Sequence, residues 1–342
     1  MELAELRHVY EHEGPFATVY LEARTPGEDA GKQVELRWRG LSDRLREVGA
    51  TDETLAALDK RVGERAGEEY ARGRVLVAGG SSVLLDEAWD VETGDGDQVF
   101  WGELPELGAY VREAARSVSE LVVIADQEGA QVLQDVVVGA RAPREADAEI
   151  VEGGGHEGVH KPRGGALSHN QIQRRADETL RRNAKDVVAH LTDVAAEFKP
   201  RVLVLAGGVQ ARTALRDELP ADLSDRLVET ERSGLAPNAS DEALDEELIR
   251  IAGEENRRRE EYNADRMRTE QAQGRAVQGG DSVVKAAEQG AVETLLLEEN
   301  VPAQREASLF KSCAETTASV ELVPSGVGLT GGAGAILRFP VR

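Results

Sequence analysis

The sequence predicts an α/β protein of the α+β kind, divided into three parts, on three observations. Short apolar runs that suit strands, such as 17–22, 74–78 and 201–206, are interleaved with longer stretches of helical periodicity. A chain of 342 residues has length for two or three domains, each able to bury its own core. No internal repeat or long low-complexity tract breaks this alternation, apart from the run Gly153-Gly154-Gly155.

The first part, 1–117, reads as a strand at 17–22, helices at 32–48 and 52–70, strands at 74–78 and 82–85, and a helix at 107–117. All three tryptophans, Trp38, Trp89 and Trp101, lie here. Core or inter-strand packing is the expectation for them, ahead of stacking on RNA bases. The middle part, 118–268, holds a glycine-rich loop, a long helix, the strand RVLVLA at 201–206, and then strand and helix as far as Arg268. Ser168, with Gln171 three residues on, has the spacing of a capping box, so the long helix starts near Ser168 and stops before Lys199-Pro200. In the helix at 241–268, Arg257-Arg258-Arg259 sits between Glu254-Glu255 and Glu260-Glu261, the pattern of intrahelical pairing. The last part, 272–342, alternates helix and strand.

Charge singles out one segment. The chain carries 41 basic and 64 acidic residues, net −23, yet residues 160–185 (HKPRGGALSHNQIQRRADETLRRNAK) hold seven Lys/Arg against two acids. At 100° per residue, Ile172, Ala176, Leu180, Ala184, Val187, Leu191, Val194 and Phe198 form a stripe of roughly 120°, with Arg174, Arg175, Arg181, Arg182 and Lys185 opposite. One face is core and the other is basic. A solvated face is the bland alternative, but charge of one sign on a helix of an oppositely charged chain argues for an anionic partner such as RNA phosphate.

Arg163-Gly164-Gly165-Ala166 followed by this helix resembles the Gly-Gly-Gln loop and Arg-rich helix of the middle domain of archaeal and eukaryotic class 1 peptide-release factors. LVVIADQEGAQVLQDVVVG (121–139) is similar to the β-hairpin opening that domain, and RVLVLAGG (201–208) to the strand after its helix. GGDSVVKAAEQGAVETLLLEEN (279–300) and GGAGAILRF (331–339) resemble the helix, strand and closing strand of the family's third domain. The resemblance spans 118–342 and implies a three-domain, tRNA-shaped release-factor/Pelota-like architecture. It also departs from the family. Ala166 stands where the catalytic glutamine is expected and offers no donor, acceptor or titratable group. Nor does the first part contain Asn-Ile-Lys-Ser, the stop-codon element. These departures are similar to the non-hydrolytic branch, which includes Pelota and Balon-like bacterial hibernation factors.

The resemblance therefore implies a non-catalytic factor in the A site of idle or stalled ribosomes, with a peptidyl-tRNA hydrolase or RNA nuclease as the alternative. Ribosomal contact is expected from Lys161, Arg163, Gly164, Gly165, Ala166, His169, Arg174, Arg175, Arg181, Arg182 and Lys185. The expected partners are the rRNA of both subunits and a translational GTPase such as elongation factor Tu, and the protein is expected to act as a monomer.

Other chemistry finds little footing. His156, His160 and His169 lack cysteine or carboxylate at a zinc spacing, Gly331–Gly334 lacks phosphate-loop spacing, and no hydrolase triad is readable, so no metal, cofactor or catalytic residue is expected. Gly207-Gly208 follows a strand where anions can bind, but a turn closing a βα unit explains it. The lone Cys313, the polar N-terminus and the lack of about 18 uninterrupted apolar residues point to a cytoplasmic protein outside the membrane.

Overall fold

The structure, a computed structural model, describes residues 1–22, 30–64, 73–89, 96–126, 128–137, 149–152, 169–231 and 241–341. They form two compact units, one of Met1–Arg116 with Arg257–Arg342 and one of Ser117–Asn256.

The first unit opens with a short helix, α1 (Arg7–Tyr10), ahead of β1 (Phe16–Glu22). Next come α2 (Ala30–Glu47), α3 (Asp52–Glu64), β2 (Gly73–Gly79), β3 (Ser82–Ala88), β4 (Gln98–Gly102) and α4 (Gly108–Arg116). The strands make an antiparallel sheet in the order β3-β2-β1-β4. Because side chains alternate across a strand, β1 feeds two cores. Ala17, Val19 and Leu21 pack with Trp38, Leu41 and Leu45 of α2 and Leu55, Leu58 and Val62 of α3, while Phe16 and Tyr20 turn to the opposite face. The expected strands and helices are present among the described residues, which do not include 65–70 of the helix expected at 52–70, and α1 and β4 are additions. Trp38 is core, its Nε1 donating to Asp59 at 2.9 Å, and Trp89 is buried against Tyr20 with ring centroids 4.7 Å apart.

In the second unit, β5 (Val118–Ala125) and β6 (Gly129–Val137) form the expected hairpin, and β7 (Glu149–Glu152) pairs with β6. The long helix α5 (His169–Phe198) leads to β8 (Val202–Gly207), α6 (Val209–Glu218), α7 (Ala221–Ser224) and β9 (Leu227–Glu229). The sheet runs β7-β6-β5-β8-β9, with β5, β8 and β9 parallel. Both its faces are covered. Leu121, Val123 and Ala125 pack with Ala184, Val187 and Leu191 of α5 and Ala211 and Leu215 of α6. On the other face, Val118, Val122 and Ile124 pack with Leu244, Leu248, Ile251 and Ala252 from the first half of α8 (Asp241–Ala272).

The rest of α8 belongs to the first unit, with β10 (Ala276–Gln278), α9 (Gly280–Glu288), β11 (Val292–Glu298), α10 (Glu306–Glu315), β12 (Ser319–Val323) and β13 (Ala333–Leu337). Their sheet runs β10-β13-β11-β12, and α8 lays Ala264 and Met267 against Leu296 and Ile336. The other face shares one core with the start of the chain: Tyr10, Phe16, Tyr20, Trp89, Leu107 and Val111 pack with Val283, Leu295, Leu309 and Phe310. Backbone bonds add to it, Leu3 N donating to Ala318 O at 3.0 Å and Val320 N to Met1 O at 2.9 Å. Each sheet draws its strands from one stretch of the chain, 16–102, 118–229 or 276–337, while packing joins the first and last stretches into a single unit whose boundary falls at Arg257, inside α8.

Candidate nucleic-acid interface

Helix α5 is shaped by its apolar stripe. Ala184, Val187, Val188 and Leu191 are buried, and Leu180, Val194 and Ala195 are half-buried against the same core. The helix stops where the sequence demands it. Lys199 adopts a left-handed conformation, φ 52°, with its N–H on Ala195 O at 2.9 Å, and Pro200 cannot continue the ladder. The strand that follows is anchored by Arg201 N, which donates to Ser119 O at 2.8 Å.

Opposite the stripe, Arg181, Arg182 and Lys185 are exposed. Lys185 Nζ stands 4.0 Å from Glu218 of α6, a surface pair of little energetic weight. Arg181 and Arg182 make no hydrogen bond or ion pair with a described residue, so their guanidinium donors are available to an anion. Glu178 and Asp186 are also exposed on this helix, so the basic face is a local concentration of charge and not a uniform one. His169, Arg174 and Arg175 belong to the first turns of α5. Lys161, Arg163, Gly164, Gly165, Ala166 and Ser168, the expected helix cap, lie outside the described residues. The same holds for His156 and His160 of the histidine set.

The remaining sequence candidates resolve into structural roles. Gly207 has φ 109°, and a Cβ there would fall 2.0 Å from Ala125 O, so this glycine closes the βα turn between β8 and α6. Gly331 and Gly332 have φ 62° and 73° and turn the chain into β13. Burial pushes the Cys313 thiol up to about 12, which keeps it protonated and unreactive. In the triple-arginine segment, Arg257 and Arg259 act on Glu260 of the same helix, and Arg259 also pairs with Glu321 of β12 at 2.8 Å, a tertiary partner beside the intrahelical one. A cleft of about 500 Å³ in the first unit is bordered by Glu11, Glu13, Glu103, His12 and Lys311, a mainly acidic lining that opposes phosphate. Among the described residues no three groups are placed to hold a metal ion, and no helix is long and apolar enough to cross a membrane.

Two buried groups escaped the sequence reading. Glu120 of β5 and Asp135 of β6 are cross-strand partners beneath α8, though the carboxylates had formed no diagnostic pair along the chain. The available signal was an acid on the same alternating face as Val118 and Val122 in one strand and Leu133 and Val137 in the other.

The Mycobacterium tuberculosis (strain H37Rv) protein Rv2629 is 28% identical over 310 residues, covering 87% of this chain and 79% of that one. Among solved structures, the archaeal translation termination factor aRF1 is 18% identical with a TM-score of 0.24, over 98% of this chain and 97% of that one. A ribosome-bound archaeal Pelota is 14% identical with a TM-score of 0.43, over 99% and 95% of the two chains. A family model, that of the bacterial archaeo-eukaryotic release factor family 2, matches residues 119–273, which hold β5 to β9 and all of α8 with the basic helix at their centre. Residues 119–273 are thus similar to bacterial archaeo-eukaryotic release factor family 2.

Proposed function

We propose that this protein is a cytoplasmic, non-catalytic ribosome-binding factor that occupies the A site of idle or stalled ribosomes, in hibernation or rescue. The observation that carries the reading is the exposed Arg181 and Arg182 pair on α5, opposite a buried apolar stripe, inside the release-factor family domain. In a chain of net charge −23 nonspecific attraction to RNA is weak, so binding depends on that local face fitting phosphates of rRNA. Ala166 in the position of the family's glutamine supports a steric role, because an alanine side chain cannot orient water against an ester. A translational GTPase such as elongation factor Tu accompanies the monomeric factor in this scheme.

The test is sedimentation with ribosomes from growing and starved cells. The unmodified protein is expected in the ribosomal pellet at physiological salt, and Arg181→Glu with Arg182→Glu is expected in the supernatant. Equal pelleting of both proteins sinks the role given to α5, and absence of both from the pellet sinks ribosome binding itself.

A further inference from the structure

The sheet of the second unit buries two carboxyls on the face that α8 covers. Glu120 and Asp135 are directly paired across the antiparallel β5/β6 ladder. Both share the strand parity of the residues packed on α8, Glu120 with Val118 and Val122, Asp135 with Leu133 and Val137. Glu120 is 0% exposed and Asp135 7%. Asp135 Oδ1 accepts the N–H of Val136 at 2.8 Å, but neither oxygen of Glu120, nor Oδ2 of Asp135, has a hydrogen-bond partner among the described residues.

The surroundings offer little to neutralise two charges. From α8, Asp245 acts on Asp135 as a further negative group. Glu247 on that helix is tied to Arg250 at 2.7 Å, which also holds Glu254 at 2.5 Å. Glu246 is exposed to water. Towards this face β8 and β9 contribute Val202, Val204 and Val228, none of which titrates. Directly opposed side chains in such a ladder have Cβ atoms about 4.5–5.5 Å apart, so two desolvated carboxylates here repel strongly and retain a proton.

We propose that Glu120 and Asp135 are a proton-operated latch on the first half of α8: the singly protonated pair lets residues 241–256 lie on the sheet, and release of that proton to solvent sets two like charges beneath the helix and loosens it. Burial first, then the charge of Asp135, pushes the Glu120 carboxyl up to about 8. Burial, opposed by the Val136 N–H and aided by Asp245, moves Asp135 up to about 6. A folded value raised above the unfolded one gives stability that is complete below the unfolded carboxyl range and lost as pH rises through the folded value. For Glu120 that window runs from 4.5 to about 8. The latch therefore holds in acid and slackens in mild alkali.

Amide hydrogen exchange of the full chain, corrected for intrinsic rates, tests this between pH 6 and pH 9. Protection of residues 241–256 is expected to fall by roughly tenfold or more, a pKa unit being a factor of ten, while peptides from α9 and β11 change little. Glu120→Gln, which is neutral at every pH, is expected to flatten the dependence, and Asp135→Asn to shrink it and move it to lower pH while sparing the fold, because without the negative neighbour Glu120 ionises sooner and no second charge lies beneath the helix. A constant protection in the unmodified protein, an equal fall in Glu120→Gln, or an equal fall in α9 and β11 overturns the latch. Recovery of protection at pH 9 on adding magnesium or calcium, in the unmodified protein and not in Glu120→Gln, would make the pair a cation site and also overturn it.

Discussion

Arg112 Nη2 lies 2.6 Å from Glu306 Oε1, with both side chains almost closed off from solvent, and this pair joins α4 to the start of α10. Arg112 also donates to the carbonyls of Val301 at 2.7 Å and Gly108 at 3.3 Å. Removing one partner of such a pair leaves a desolvated charge, so Arg112→Met is expected to cost about 3–5 kcal/mol in urea unfolding. The double variant Arg112→Met with Glu306→Gln should recover part of that loss. A single-variant cost below about 1 kcal/mol would show that the shared core holds without the pair.

The two faces of α5 should separate stability from binding. Leu191→Ala opens a cavity in the second unit's core and is expected to cost about 2–5 kcal/mol. Arg181→Glu with Arg182→Glu should stay within about 0.5 kcal/mol of the parent for each exposed site. If these arginines meet phosphates, their loss also lowers the salt dependence of ribosome binding by roughly 0.7–0.9 per contact. An unchanged slope with weakened binding would assign the effect to general charge and not to contact.

Neighbouring glycines give a sharper structural test. Gly207→Ala must place its Cβ 2.0 Å from Ala125 O at φ 109°, so the turn has to move, at a cost of about 1–3 kcal/mol or more. Gly208 has φ −64° and nothing within 4 Å of a Cβ, so Gly208→Ala should stay within about 1 kcal/mol. Thermal melting of the two variants reads the difference. Equal melting temperatures would mean that the β8–α6 turn is not built as described.

Ala166 sets an expectation for chemistry. The unmodified protein should release no labelled peptide from a ribosome complex even at saturating concentration. Ala166→Gln alone is not expected to restore release, since a glutamine works only where the loop also positions the water. Peptide release by the unmodified protein would replace the steric reading with a hydrolytic one.

What the sequence made legible was local. The end of α5 was written in Lys199-Pro200, and its buried face in the spacing of Ala184, Val187 and Leu191. β4 was missed because its five residues, Gln98–Gly102, are half-exposed and show no clean alternation of burial. The common core of the first and last parts was illegible for another reason. Tyr20 and Phe310 are packed in one cluster, yet no periodicity links positions so far apart in the chain. Glu120 was hidden by the abundance of acids: only the burial of its strand distinguishes it from the surface carboxylates.

A core closed by both ends of the chain also fixes an order of birth. When Arg116 has left the ribosome, the face carrying Phe16, Tyr20 and Trp89 has only nearby partners such as Tyr10, Leu107 and Val111, since α9, α10 and β11 are not yet made. At roughly 5–20 residues per second, the remaining strands arrive about 10–45 s later. Meanwhile the second unit, encoded between the two halves, can complete its own sheet. The nascent first part waits through that interval with its apolar face only partly covered, which makes it the natural client of a chaperone and the segment from which aggregation of truncated chains should start.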